Sequence, residues 1–431
     1  MSSSVSSASS RLGTGPYDEA NVRRLAREAR EELGGEPTLG IVFVTPDYIP
    51  DIADFLEVVR LHAHIPLLVG GSGHSLLGVG EEMEGGSGFS LLLLRLPQTP
   101  VHAYHLPSSL MRDPEIGEQD HEGDLRAWQR LVGKDGAAAK AWMALIDPFD
   151  FPVERWLAQW DEAFPGIPVF GGLSSGPKMP GANPGSGSDS GSGLGSANEA
   201  WVFLDGKVVD GAVLVGFGGE VAIRTLVSQG CKPIGEPSII TGADQNILYT
   251  LGSQPAYKIL DGAFQSLTDD EKEKARGHLF AGLAMSEYVD EFKRGDFLVR
   301  SILGADPNTG AVAIAAHPRI GQTLQYQLRD AEAASDDLHE ALERTVDDPA
   351  VKRKPPVAAL VFTCTGRGQS LFAQPGHDAK ALNRAFPGLP VAGFFANGEI
   401  GPVGSHSYIH GYSASIAFFG TPPEAVAPAA I

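Results

Sequence analysis

One short proline–glycine segment recurs along this chain, and it restricts the available folds more than any other feature. Phe386-Pro387-Gly388-Leu389-Pro390-Val391-Ala392-Gly393 has a close copy at Phe164-Pro165-Gly166-Ile167-Pro168-Val169-Phe170-Gly171. A weaker copy stands at Ile65-Pro66-Leu67-Leu68-Val69-Gly70. Proline cannot continue a helix, so each copy stops one. The apolar run behind it reads as a buried strand. The glycines either give the next turn a positive φ or let another backbone or a ligand come close. Ahead of two copies, Ile52, Phe55, Leu56 and Val59, and then Val153, Trp156, Leu157 and Trp160, fall on one face of a helix. The same interval separates Val44 from Pro66 and Ile146 from Pro168, which points to an internal repeat.

These patterns predict an α/β (α+β) chain. Repeated strand–helix–strand–strand units form mixed sheets flanked by helices, arranged as two pseudo-symmetric domains. The expected organisation is a disordered N-terminus over 1–20, an N-terminal domain over 21–238, a C-terminal domain over 239–420 and a tail over 421–431. Residues 176–197 are almost all Gly, Ser and Pro, so a flexible surface loop is expected there. Val101–Leu106 is expected to pair with the strand near Phe89–Leu96. Single strands are expected over 239–249 and 408–419, and a helix over 328–342.

With 431 residues, two domains are the prior expectation. The net charge is −20, which argues against nucleic acid and anionic membranes as partners. Cys231 and Cys364 are the two cysteines. Their separation gives neither zinc-type spacing nor a disulfide framework, and a reducing cytoplasm fits them best. Met1–Ser10 lacks the apolar core of a signal peptide. No metal site, cofactor or catalytic residue is expected. Gly70-Gly71-Ser72-Gly73-His74-Ser75 lacks the ending of a phosphate-binding loop.

Several turns could carry chemistry. Gly366-Arg367-Gly368 follows a strand, and its N–H groups can form an anion nest. Arg367 would add a fork for a carboxylate or phosphate, although an exposed arginine in a surface turn is the plain alternative. Cys364 stands beside it, either as a buried small residue or as a thiol activated by Arg367. Asn397-Gly398-Glu399 lies in the glycine turn of the last unit. There Glu399 could hold an ammonium group and Asn397 could orient a ligand, unless they only shape the turn. Ser174 and Ser175 occupy the matching turn of the second unit, and Ser72 and His74 that of the first. His410 opens the final strand; a lone histidine there is more often a packed hydrogen-bonding residue than a ligand contact.

Taken together and in order, four segments resemble the FIST family, the F-box and intracellular signal transduction proteins. They are Ser228–Gly235 with Cys231 and Pro233, Phe362–Gly368, Gly398–Pro402 and His410–Ala414. The resemblance spans roughly 38–420 and includes N-terminal and C-terminal FIST domains. It implies a sensory module for small ligands such as amino acids or related small carboxylates, with a separate signalling protein as partner. The residues ahead of Leu39 are too few for an F-box. Candidate ligand-binding residues are Cys364, Gly366, Arg367, Gly368, Asn397, Gly398, Glu399, His410, Ser174 and Ser175. Arg367 would take a carboxylate and Glu399 an ammonium, and Arg367 is expected to be dispensable for folding. Two other readings stay open: an enzyme with Cys364 as nucleophile and His410 or His377 as base, and a protein–protein scaffold.

Overall fold

The structure is a computed structural model and describes residues 6–112, 121–176, 199–275 and 278–421. The recurrent segment sits where its composition demands. In each unit an apolar strand, a helix and a second apolar strand follow in order. The two strands pair in parallel: Leu39–Val44 with Leu68–Ser72, Ala141–Ile146 with Val169–Leu173, and Ala358–Cys364 with Val391–Ala396. The crossover helices are Ile52–His62, Val153–Ala163 and His377–Ala385. The predicted faces Ile52/Phe55/Leu56/Val59 and Val153/Trp156/Leu157/Trp160 are the buried ones.

The last glycine of each copy serves close approach rather than a turn. A Cβ at Gly70, Gly171 or Gly393 would run into the carbonyl oxygen of Val42, Ala144 or Val361 on the neighbouring parallel strand.

A hairpin follows each parallel pair: Ser75–Gly78 with Glu81–Glu84, Val202–Leu204 with Lys207–Val209, and Glu399–Val403 with His406–His410. None of these hairpins joins its own unit's sheet. The first unit's hairpin extends the third unit's sheet (Gly393 opposite Leu77). The second unit's extends the first (Phe203 opposite Gly70), and the third unit's extends the second (Ile400 opposite Gly171). Three six-stranded sheets result, all with the same strand order.

The inner faces of the three sheets share one core that includes Ile41, Phe43, Met143, Leu145, Leu360 and Phe362. The outer faces are covered by helices: Val42 and Val44 pack with Phe55, Ala144 and Ile146 with Trp156, and Ala359 and Val361 with Leu382. This alternation is the two-residue period of a strand buried on both sides.

The third unit is interrupted. Between its first strand, Ala222–Gln229, and its first helix, Ala331–Asp347, the segment 231–329 forms a separate antiparallel sheet. Strand Thr323–Arg329 also pairs with Leu279–Ala284, which closes that sheet on itself as a small barrel. Helix Ala256–Gln265 packs into the barrel's core. The expected division at 238/239 falls inside this sheet, after the first residue of its strand Ser238–Asp244.

Several local expectations are corrected. The N-terminus is not disordered over its described part. Ser7–Thr14 is a strand paired with Gly88–Arg95, and Ser9 Oγ donates to Ala29 O at 2.6 Å beneath helix Glu19–Leu33. Val101–Leu106 pairs with Ala212–Phe217 in another sheet. The span 239–249 is two strands, turned at Gln245 with φ of 49°. Leu328 lies in a strand, and the next helix starts after Asp330, whose carboxylate caps Ala333 N at 2.7 Å. The final strand is broken at Gly411-Tyr412, where Tyr412 has φ of 60°. The predicted loop beyond Gly176 and the tail beyond Thr421 lie outside the described residues.

The strand glycine yields a direct test. Gly393→Ala should lower unfolding stability by about 1–3 kcal/mol, because the added methyl has only backbone to displace. Urea denaturation measures this, and an unchanged midpoint would contradict the packing described.

Candidate functional site

The inserted barrel meets the core at a narrow neck. Asp330 N donates to Gly230 O at 3.3 Å, so the chain enters and leaves the barrel at one point. Just beyond, Cys231 stands opposite Arg329 in an antiparallel pair. The third unit supplies the facing wall. Its strand ends at Cys364, and Arg367 N donates back to Cys364 O at 2.8 Å to form a tight turn. Cys231, Cys364, Phe280, Val299 and Tyr412 pack there as one cluster.

Arg367 does not project into solvent; it is 1% exposed. Its Nε and Nη2 fork onto Asp378 at 2.7 and 2.8 Å. Asp378 also accepts from Thr363 Oγ1 at 2.6 Å and lies 2.9 Å from His377 Nδ1. Burial alone would raise the Asp378 carboxyl, but the Arg367 guanidinium and these hydrogen bonds hold it well below the usual carboxylate range. The guanidinium lies 5.2 Å over the Phe372 ring. Among the described residues, Arg367 Nη1 has no hydrogen-bond partner. It faces the neck, since a Cβ on Gly230 would stand 3.5 Å from it.

Arg329 approaches from the barrel side and is also buried. Its Nη2 donates to Gly366 O and, at 3.3 Å, to Ser370 O. Its Nε has no partner among the described residues. Burial pulls its pKa down, and the guanidinium sits 5.7 Å over Tyr412.

Glu399 is fully buried and accepts from Ser413 Oγ at 2.6 Å through Oε2. Its Oε1 has no partner among the described residues. Burial pushes its pKa up to about 8, against the Ser413 hydrogen bonds and the attraction of Arg367, so it is largely protonated at neutral pH. Burial, then Glu399, pushes the Cys364 thiol up to about 12. Burial does the same to Cys231. Neither thiol is an activated nucleophile.

The remaining candidates do other work. Three turns interlock where the units meet. Ser175 Oγ donates to Phe395 O at 2.5 Å and accepts from His74 N at 2.8 Å. Asn397 Nδ2 donates to Ser174 O at 3.2 Å, and Leu173 N donates to Gly398 O at 2.9 Å. Ser174, Ser175, Asn397 and Gly398 therefore tie units together, and the next residue, Glu399, carries that tie to the neck. Gly366 donates its N–H to Cys364 Sγ at 3.4 Å, and Gly368 supplies a φ of 57°. His410 stands opposite Glu399 in the hairpin register, and its Nε2 donates to Gly401 O at 3.0 Å. Burial lowers its pKa to about 4, so it is neutral. His377 contacts Asp378 and Ser335. No hydrogen bond joins Cys364 to either histidine among the described residues, which leaves the cysteine-enzyme reading without geometry.

Nothing in the sequence marks Asp378, Arg329 or Glu82 as site residues. Glu82, on the first unit's exchanged hairpin, accepts from Ala379 N at 2.9 Å. Burial and then Asp378 raise its pKa to about 7. An acid in the first turn of a helix is too common for Asp378 to stand out. Among the described residues, no group of three or more His, Cys, Asp or Glu side chains is placed to hold a metal ion. No helix there is long and apolar enough to cross a membrane.

Comparison with known proteins adds two family matches and full-length relatives. Residues 38–254 match the FIST N domain and residues 256–402 the FIST C domain. The chain is 34% identical over 415 residues to uncharacterized protein Rv0628c of Mycobacterium tuberculosis, covering 95% of this chain and 99% of that protein. It is 32% identical over 421 residues to uncharacterized protein Mb0898c of Mycobacterium bovis, covering 95% and 98%. Among solved structures, T. maritima PurL complexed with ATP aligns at a TM-score of 0.20 and 10% identity, covering 97% of this chain and 71% of that one, too low to bear on the fold.

Two outcomes follow from the neck. Contrary to the expectation from sequence, Arg367→Ala should damage the fold by about 3–5 kcal/mol, because it strands the Asp378 carboxylate in the interior. Urea unfolding reads this, and a loss below about 1 kcal/mol, the scale of a surface pair, would contradict it. The second outcome concerns pH. A carboxyl raised from 4.5 to about 8 on folding stabilises the native state fully below pH 4.5 and ceases to do so as pH rises through about 8. Glu399→Gln stays neutral throughout. The melting temperature of the wild type should therefore fall relative to this variant across that window, and parallel profiles would show that Glu399 is not held protonated.

Proposed function

Because this chain belongs to the FIST family, whose domains are generally signal-transduction sensory domains, we propose that it senses a small carboxylate-bearing ligand, such as an amino acid, at the neck between the third unit and the barrel. One observation carries this reading. Arg367 Nη1, Arg329 Nε and Glu399 Oε1 are all buried in this region without a hydrogen-bond partner among the described residues. Buried polar groups are ordinarily satisfied, so three together mark a place suited to a polar guest.

The charge balance selects its sign. Arg329 and Arg367 are cations, Asp378 is an anion and Glu399 is largely neutral, which leaves one net positive charge among these four groups. An anion relieves it. Guanidinium N–H groups suit a carboxylate. The protonated Glu399 can donate to a carboxylate oxygen, or it can release its proton and accept from an ammonium group, whose charge would lower its pKa. An amino acid satisfies both ends.

The neck is where such binding would be felt. Arg329 belongs to the barrel, whereas Arg367 and Glu399 belong to the core, so a shared ligand biases the barrel's seating. A separate signalling protein in the cytoplasm would read that change.

Calorimetry after a thermal-shift screen of amino acids and small mono- and dicarboxylates tests the proposal, since a ligand of the native state raises its stability. Arg329→Gln should weaken the best ligand by about 10- to 150-fold, the worth of a charge-assisted hydrogen bond. Equal affinity for wild type and Arg329→Gln would place the site elsewhere.

A further inference from the structure

On the outer side of the third unit, helix Ala331–Asp347 lies against helix His377–Ala385. We propose that Ser335, His377 and Asp378, which meet there, form a nucleophilic serine site that accepts an acyl group from small esters. Ser335 Oγ lies 3.0 Å from His377 Nε2, and His377 Nδ1 lies 2.9 Å from Asp378 Oδ1. Both distances are within the reach required of a nucleophile, its base and the group that orients the base.

The surroundings fix the proton positions. Asp378 is an ionised carboxylate forked by Arg367, so it can only accept. His377 Nδ1 therefore carries the hydrogen, which leaves the Nε2 lone pair facing the Ser335 hydroxyl. The imidazole is held in that orientation by Phe372, stacked at 3.6 Å and 9°. The neighbouring His339 Nδ1 lies 3.3 Å from Ser335 Oγ, but it donates its hydrogen to the Ser335 carbonyl oxygen at 2.8 Å and so offers the hydroxyl no lone pair. His377 is 18% exposed and Ser335 is half-buried, so the pair is not sealed from solvent.

The reaction balances without any further group. Ser335 Oγ bonds to the ester carbonyl carbon as its proton passes to His377 Nε2. The carbon–oxygen bond to the leaving alcohol breaks, and the alcohol departs with that proton. Water then attacks the acyl-serine by the same route, releasing a carboxylic acid and restoring the hydroxyl. Catalysis should be modest and should favour esters with good leaving groups.

An alkyl fluorophosphonate probe on the full chain, with mass mapping of the adduct, tests the assignment. One equivalent should attach at Ser335. Labelling should fall to background in Ser335→Ala and slow by about 100-fold in His377→Gln, the typical contribution of a general base. Both variants should melt as the wild type does. Asp378 is unsuited to this test because its loss also strands Arg367. The proposal is overturned if the folded chain is not labelled, if another residue takes the probe, or if labelling survives His377→Gln and depends on His339 instead.

Discussion

Each parallel strand pair in this chain would leave an open sheet edge at Leu68–Ser72, Val169–Leu173 or Val391–Ala396, and each edge is covered by a hairpin from a different unit. Exposed edges invite uncontrolled pairing, and this cyclic exchange removes three of them at once. It also makes the units interdependent, since none completes its sheet alone. The shared core among the sheets and the interlocked turns at Ser175, His74 and Asn397 follow from it. The glycines of the recurrent segment allow the close backbone approach that the parallel pairs require.

The barrel breaks this symmetry in one unit only, and the charged groups gather at its point of entry. Arg367, Asp378 and Arg329 are costly to bury, yet all three are buried at the neck or behind it. The pair Arg367–Asp378 is satisfied on both forks, whereas Arg367 Nη1, Arg329 Nε and Glu399 Oε1 are not satisfied among the described residues. Asp378 also orients His377. One carboxylate thus sits between the neck and the serine site, so the two features share a single ion pair.

Much of the core was legible because its signals are local. Apolar runs bounded by Pro and Gly, and the helix faces at Phe55 and Trp156, need no knowledge of distant partners. The hairpin exchange was not legible, because strand register between remote segments leaves no mark at either end. The break at Tyr412 depends on a positive φ that its residue type does not announce. The serine-rich N-terminus reads as disorder, yet its small side chains fit beneath a helix. At the site, Arg367 and Glu399 stand out in the sequence by residue type, but their burial does not. Burial turns Arg367 into half of an ion pair and Glu399 into a largely neutral acid.

A ligand bound as proposed would be felt at the neck. Hydrogen exchange followed by mass spectrometry tests it most directly, on the full chain with and without the amino acid or small carboxylate that most raises its melting temperature. Slower exchange is expected in 228–235, 364–368, 399–401 and 410–414, the segments that meet where the barrel joins the third unit. Protection confined to the first or second unit, with these four segments unchanged, would contradict it.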